Sequence, residues 1–225
     1  MTDSQAAQAA SIRARLLNIS REQQVDFNRI LTSYGLERLL YRLSVSEYRD
    51  EFVLKGAMLF SYWSGDGFRA TRDVDFLKSG DASLAYLTRV FTHLCGQANE
   101  SLDGLIFDAD SVHADEIRED NAYGGIRVSI KATLAKARIT IQADVGIGDI
   151  ITPAAETIEF PTLLDMPSPV MRAYPVETVI AEKFEAMVHL GMANSRMKDF
   201  YDIWAICQFM NPDQEVLATA IADQG

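Results

Sequence analysis

The run Ala137–Val145, ARITIQADV, alternates apolar and polar side chains, with β-branched residues on the apolar positions. Such alternation marks a strand with one packed face and one solvated face. A chain that holds it must build a sheet and cover one side of it. The remaining pattern says what does the covering. Helical spacing is expected over residues 5–18, with Ser4 as N-cap, and over 21–43, with a break at Gly35. A short helix is expected over 45–50. Phe52-Val53-Leu54 then reads as a strand ending at Lys55-Gly56, and residues 57–63 as a short buried helix.

SGDGFRAT, residues 64–71, is a loop by composition. Residues 73–77 alternate as a strand, and 82–98 read as a helix. Strands are expected over 104–112 and 125–134, parted by an acidic turn at 115–124. The proline-rich stretch 146–175 reads as extended and irregular. Helices follow over 176–191, stopping at Gly191, then over 197–210 and 213–222. The closing LATAIADQG is helical but short, as though the last helix were cut off. The order is helices, a mixed centre of three to five strands, then helices, which is an α+β arrangement. The expected seam gives residues 1–150 as helices plus an αβ core. Residues 151–225 are then a proline-rich connection and a C-terminal helical region.

The chain has 225 residues, 48% hydrophobic and 24% charged, an ordinary globular balance. Its net charge is −11, so it is no basic coat for nucleic acid. The last 25 residues hold four acids and no Lys or Arg. A nucleic-acid partner must therefore meet a local patch. Arg13, Arg15, Arg21 and Arg29 read as the solvated faces of N-terminal helices. Cys95 and Cys207 form no CxxC, which argues against a disulfide scaffold or a cysteine zinc site and fits a reducing cytoplasm. The N-terminus has no secretory pattern. No uncharged stretch nears the ~18–20 apolar residues that span a bilayer, so no membrane partner is expected.

The sharpest chemical feature is Arg69-Ala70-Thr71-Arg72-Asp73-Val74-Asp75. On a strand, Asp73 and Asp75 project from one face. Two carboxylates that close repel unless a cation sits with them, and Mg²⁺ accepts one or two carboxylates plus phosphate oxygens. The plainer reading is a solvated edge strand, or a salt bridge to Arg69 or Arg72. Upstream, Lys55-Gly56 lies between strand and helix, where a glycine lets backbone N–H groups approach a phosphate. Downstream, Asp144 near the end of ITIQADV would be a third carboxylate, able to complete a two-metal site, or a simple capping group.

Two further groups lie on the C-terminal helices. Lys183 sits among Ile180, Phe184 and Met187, either as a catalytic cation or as a snorkelling helix lysine. Asp199 and Asp202 share one helix face, preceded by Arg196 and Lys198, and acids there also suit a helix N-terminus. The chain carries no HExxH, GxSxG or Walker pattern. Gly146 and Gly148 form a GxG that lacks the third glycine of a dinucleotide site.

Taken together, KGAMLF, RATRDVDF, ITIQADVGIGD, ETVIAEKFEAMV and NSRMKDFYDIW resemble the nucleotidyltransferase AbiEii/AbiGii toxin family, the group that includes the MenT toxins. The resemblance runs from about residue 52 to 210. It implies a nucleotidyltransferase-like fold, a small mixed sheet bearing the DxD among helices. It also implies a toxin of a toxin–antitoxin or phage-defence system, one that moves nucleotides from an NTP, with Mg²⁺ (two ions possible), to the tRNA 3′ end or another RNA acceptor.

Carried over by position, Asp73, Asp75, Lys183 and Asp199 are the catalytic group. Asp73, Asp75 and Asp144 are the metal group. Lys55, Gly56, Arg69, Thr71, Lys198 and Asp202 are the nucleotide-binding group. An AbiEi-type antitoxin, acting with or without stable contact, is the implied partner. The chain departs from the family in having Ala57 after Gly56, where a second Gly or Ser is usual, and in the long gap from Gly56 to Asp73. A catalytically silent nucleotide- or partner-binding module, and a metal-dependent nuclease, are the alternatives that the same carboxylates allow.

Overall fold

In the computed structural model, residues 3–64, 71–97, 103–117, 124–148, 150–191 and 197–224 are described. Two helices, α1 (Asp3–Gln23) and α2 (Phe27–Ser44), lead into strand β1 (Phe52–Lys55) and the short helix α3 (Met58–Ser64). Strand β2 (Asp73–Lys78), helix α4 (Leu84–Gly96) and strands β3 (Leu105–Ile117), β4 (Gly125–Leu134) and β5 (Ala137–Ile147) follow. Strands β6 (Glu156–Glu159) and β7 (Val170–Ala173) precede helices α5 (Val176–Leu190), α6 (Met197–Phe209) and α7 (Gln214–Gln224).

The sheet has seven strands among the described residues, in the order β3-β4-β5-β2-β1-β7-β6. This exceeds the expected three to five. The difference comes from the proline-rich stretch, which supplies β6 and β7 where an irregular segment was expected. Strand β7 runs parallel to β1 through Leu54 and Ala173, and β6 pairs antiparallel with β7. The expected seam at residue 150 falls between β5 and β6. Strand β2 runs parallel to β5 and antiparallel to β1, while β3, β4 and β5 form an antiparallel run.

Strand alternation separates two faces. Ile139, Ile141, Ala143 and Val145 of β5 are buried, as are Ile126, Val128, Ile130 and Ala132 of β4. Phe52, Phe76 and Phe91 join this packed side, with ring centroids 5.5 Å and 6.1 Å apart in edge-on pairs. Each fully buried Phe or Leu of this kind is worth about 1.5–3 kcal/mol over an exposed one. The other face carries Asp73, Asp75, Arg127, Gln142 and Asp144 at the intervening positions.

Helix α2 packs against β5 and runs unbroken through Gly35, contrary to the expected break. The helix needs the glycine for closeness, because a Cβ there would lie 2.9 Å from Ile141 Cδ1. Asp26 caps α2, accepting from Asn28 N and Arg29 N. The segment expected as a short helix at 45–50 is a 3₁₀ turn, Arg49–Glu51. Ser4, expected to cap α1, lies inside that helix. Arg15, Arg21 and Arg29 are exposed as expected, and Arg13 stacks its guanidinium over Phe27, 5.1 Å from the ring centroid.

Helix α2 also carries buried charge. Arg42 Nη1 donates to Asp103 Oδ2 at 2.8 Å. Arg38 Nη2 donates to the Pro167 carbonyl at 2.9 Å, and Glu37 Oε2 accepts from Leu163 N at 2.6 Å. The Arg38 and Glu37 bonds tie the connection between β6 and β7 to α2, and the Arg42 bond ties down the segment that leads into β3.

Candidate active site

Four adjacent strands line up four charges on the open face of the sheet. Arg127 of β4 stands opposite Asp144 of β5, Asp144 opposite Asp75 of β2, and Asp75 opposite Lys55 of β1. The row reads plus, minus, minus, plus. Arg127 grips Asp144 as a fork, with Nε 2.8 Å from Oδ1 and Nη2 2.6 Å from Oδ2. The facing carboxylate holds the guanidinium pKa well above its ordinary value, against the opposing pull of burial. On the far side, Lys55 pairs with Glu182 of α5, and its ammonium stands 5.6 Å from the Tyr174 ring centroid.

Asp73 lies two residues before Asp75 on the same face, opposite Gln142. Thr71 Oγ1 donates to Asp73 Oδ1 at 2.7 Å and holds that carboxylate in place. Burial first, then the charges of Asp73 and Asp144, push the Asp75 carboxyl up to about 7. Gly56 explains part of that burial. It follows β1 with φ +74, and its α-carbon comes so near Asp75 that no side chain fits between them.

The second half of the site is the helix pair α5 and α6. Lys183 Nζ lies 2.9 Å from Asp199 Oδ1 and 2.9 Å from Asp202 Oδ2. Burial pulls the ammonium pKa down and the two carboxylates, Asp202 foremost, pull it up. The net shift is upward, so Lys183 stays charged. Asp202 is fully buried, whereas Asp199 is partly open.

Sheet and helices enclose a cleft of about 420 Å³. Lys55, Gly56, Asp75, Asp144, Lys183 and Asp199 all line it. Thr71, Asp73, Lys198 and Asp202 are not among its lining residues, and Lys198 is exposed on the first turn of α6. Arg69 and Arg196 lie outside the described residues. So do residues 65–70 of the loop expected over 64–71.

Sequence reasoning missed Arg127 and Glu182. The alternation of GIRVSIKATL puts Arg127 on the polar face of its strand. Only the cross-strand register shows that it meets Asp144. Glu182 is adjacent to Lys183, but its contact with Lys55 joins residues far apart in the chain.

A divalent cation fits this donor set. Asp75 and Asp144 are strand neighbours with Asp73 close by, and carboxylate oxygens are the ligands hard cations take. Among the described residues no three His, Cys, Asp or Glu side chains converge as a closed cage. An ion held by one or two carboxylates, with its other ligands from phosphate and water, needs no such cage.

The fold is nucleotidyltransferase-like. JHP933 from Helicobacter pylori superposes with a TM-score of 0.55 at 15% identity, over 87% of this chain and 73% of that one. An antigenic nucleotidyltransferase-like protein from Paracoccidioides brasiliensis superposes with a TM-score of 0.50 at 14% identity, over 84% of this chain and 85% of that one. No curated protein sequence matches this chain significantly. The sequence profile described as "Nucleotidyl transferase AbiEii toxin, Type IV TA system" matches residues 38–224, taking in the DxD strand, the cleft and the three C-terminal helices. With most of its length so matched, the chain belongs to the AbiEii nucleotidyltransferase toxin family of type IV toxin–antitoxin systems.

Proposed function

We propose that the protein transfers a nucleotide from an NTP, with Mg²⁺, to the 3′ end of an RNA, with tRNA as the acceptor. The observation that carries this reading is the cleft itself. Its sheet side presents Asp75 and Asp144, and its helix side presents the partly buried cation Lys183. A triphosphate with its counter-ion needs both signs of charge within one water-restricted space.

Asp73 and Asp75 would hold the cation, with Asp144 the candidate third carboxylate on the neighbouring strand. A bound divalent cation neutralises triphosphate charge and supports in-line displacement. Gly56, the phosphate-loop position at the turn after β1, lets Asp75 pack close against the strand end, and Lys55 adds a positive charge at that end. The acceptor hydroxyl attacks the α-phosphorus. A new P–O bond forms, the α–β anhydride bond breaks, and pyrophosphate leaves. Asp144 either completes the metal site or assists deprotonation of the attacking hydroxyl. Lys183 meets the charge that develops on the departing pyrophosphate, and Asp199 keeps its ammonium aimed at the cleft. Asp202 anchors Lys183 from beneath. Lys198, Arg69, Thr71 and Arg196 serve the nucleotide and acceptor side.

A separately encoded AbiEi-type antitoxin, acting with or without stable contact, is the proposed partner, and the cytoplasm the proposed compartment. No helix among the described residues is long and apolar enough to cross a membrane.

The test is incorporation of each labelled NTP into total tRNA, with Mg²⁺ and with EDTA, for wild type and Asp75→Ala. Label on tRNA only with wild type and Mg²⁺ is the expected result, and it names the nucleotide. No label on any tRNA from folded wild type overturns the tRNA reading.

A further inference from the structure

Arg127 has no role in the reaction as written, yet it holds the two oxygens of the carboxylate that stands beside Asp75. An arginine fork and a divalent cation compete for the same lone pairs. The fork is also the strong form of ion pair, with two parallel charge-assisted bonds. Its two ends differ in exposure. Asp144 is 18% exposed and fixed on a central strand, while Arg127 is 41% exposed. The arginine is therefore the partner able to swing away. The charges facing the pair are Asp75 and Asp73 from β2. Beyond Asp75, Lys55 is already paired with Glu182.

We propose that Arg127 couples cation binding to nucleotide binding, holding Asp144 from a divalent cation until a triphosphate draws the guanidinium away. The inference rests on the cation-dependent nucleotidyl-transfer reading of the cleft. A guanidinium fits a phosphate in the same forked geometry as it fits a carboxylate. Moving from Asp144 to a phosphate oxygen leaves its donors satisfied and uncovers both Asp144 oxygens. The incoming cation then replaces the positive charge that left. No covalent bond changes. By linkage, nucleotide raises cation affinity and cation raises nucleotide affinity by the same factor. Arg127 is thus a positioning residue, acting on the cation through Asp144.

The experiment is Mn²⁺ titration calorimetry on the full chain, with and without a non-hydrolysable NTP analogue. Wild type is compared with Arg127→Gln and Arg127→Lys, each checked for folding by circular dichroism. Wild type should bind Mn²⁺ more tightly when the analogue is present. Arg127→Gln should bind Mn²⁺ alone about tenfold more tightly than wild type and lose most of the coupling, a size usual for linked sites. Arg127→Lys, with no fork, should fall between them. Wild type that binds Mn²⁺ equally with and without analogue overturns the proposal without any variant. So does an Arg127→Gln protein whose Mn²⁺ affinity matches wild type. In both cases Mn²⁺ binding itself persists and the cation reading stands. Wild type that binds no Mn²⁺ under either condition overturns that reading and this inference together.

Discussion

A Cβ built on residue 56 would stand 2.0 Å from Asp75 Oδ2 and 2.8 Å from Asp75 Cβ. The second distance matters more than the first. A carboxylate can rotate away from an intruding methyl, but the root of the side chain cannot. Residue 56 also holds φ at +74, where side chains are strained. Gly56→Ala therefore moves Asp75 or the strand end. Strain of this kind costs about 1–3 kcal/mol of stability. Misplacing a reacting group by about an ångström costs on the order of 100-fold in rate. Urea denaturation and labelled-NTP transfer, run on the same preparation, check both. A fully active Gly56→Ala protein would show that the close approach has no part in placing Asp75.

The raised Asp75 carboxyl has a consequence for stability. Its folded pKa is about 7, above the ordinary 3.8. The folded protein thus holds this proton more tightly than the unfolded chain does. Between about pH 4 and pH 7 the unfolded state has released it while the folded state keeps it, so stability falls as pH rises. Above pH 7 the folded protein bears a buried charge crowded by Asp73 and Asp144. Asp75→Asn removes that charge, and in EDTA it should gain about 1–3 kcal/mol at pH 8, the size expected for relieving an unfavourable buried charge. At pH 4.5, close to the ordinary carboxyl pKa, the gain should be much smaller. Thermal midpoints at the two pH values decide it, and an equal effect at both would refute the electrostatic origin.

Lys183 meets Asp199 and Asp202 at the same distance, but the two acids stand differently. Asp199 lines the cleft, and Asp202 is 1% exposed beneath it. Asp202→Asn leaves a buried cation short of a partner and should cost about 3–5 kcal/mol. Asp199→Asn, nearer water, should cost less stability. It should cut transfer by on the order of 10²–10³-fold, as removal of an electrostatic aiming group does. Denaturation midpoints set against transfer rates separate the roles. Identical profiles for the two variants would erase the distinction.

Much of this site could be read from local spacing. Asp73 and Asp75 share a face because strand side chains repeat every two residues, and Asp199 and Asp202 share one because helix turns take 3.6. Lys183 was legible as an odd charge among Ile180, Phe184 and Met187. What local spacing cannot carry is register. The contact of Arg127 with Asp144 depends on which residue of β4 faces which residue of β5, and that is set by the whole hairpin. The pairing of β7 with β1 joins residues more than a hundred positions apart. Strands as short as β6 and β7 hold too few alternations to stand out among prolines. The buried charges of α2, Glu37, Arg38 and Arg42, went unread because nothing local reveals their partners at Leu163, Pro167 and Asp103.

Gly35 shows how a local rule fails under packing. Glycine weakens an isolated helix by about 1 kcal/mol relative to alanine, so a break there was a fair expectation. The helix persists because β5 presses against it, with Ile141 Cδ1 2.9 Å, Ile141 Cγ1 3.2 Å and Ile139 Cγ2 3.4 Å from where a Cβ would be. Gly35→Ala should accordingly destabilise the protein, by about 1–3 kcal/mol as overpacked cores do, despite the better helix propensity. Ile141→Val removes the nearest carbon and alone should cost about 0.5–1.5 kcal/mol. Together the two changes should cost less than their sum, by about 0.5 kcal/mol or more, because the valine makes room for the methyl. A double-mutant cycle by urea denaturation measures the difference. Strict additivity would mean that α2 shifts as a body instead, and that the contact with Ile141 does not set how near the helix lies to the sheet.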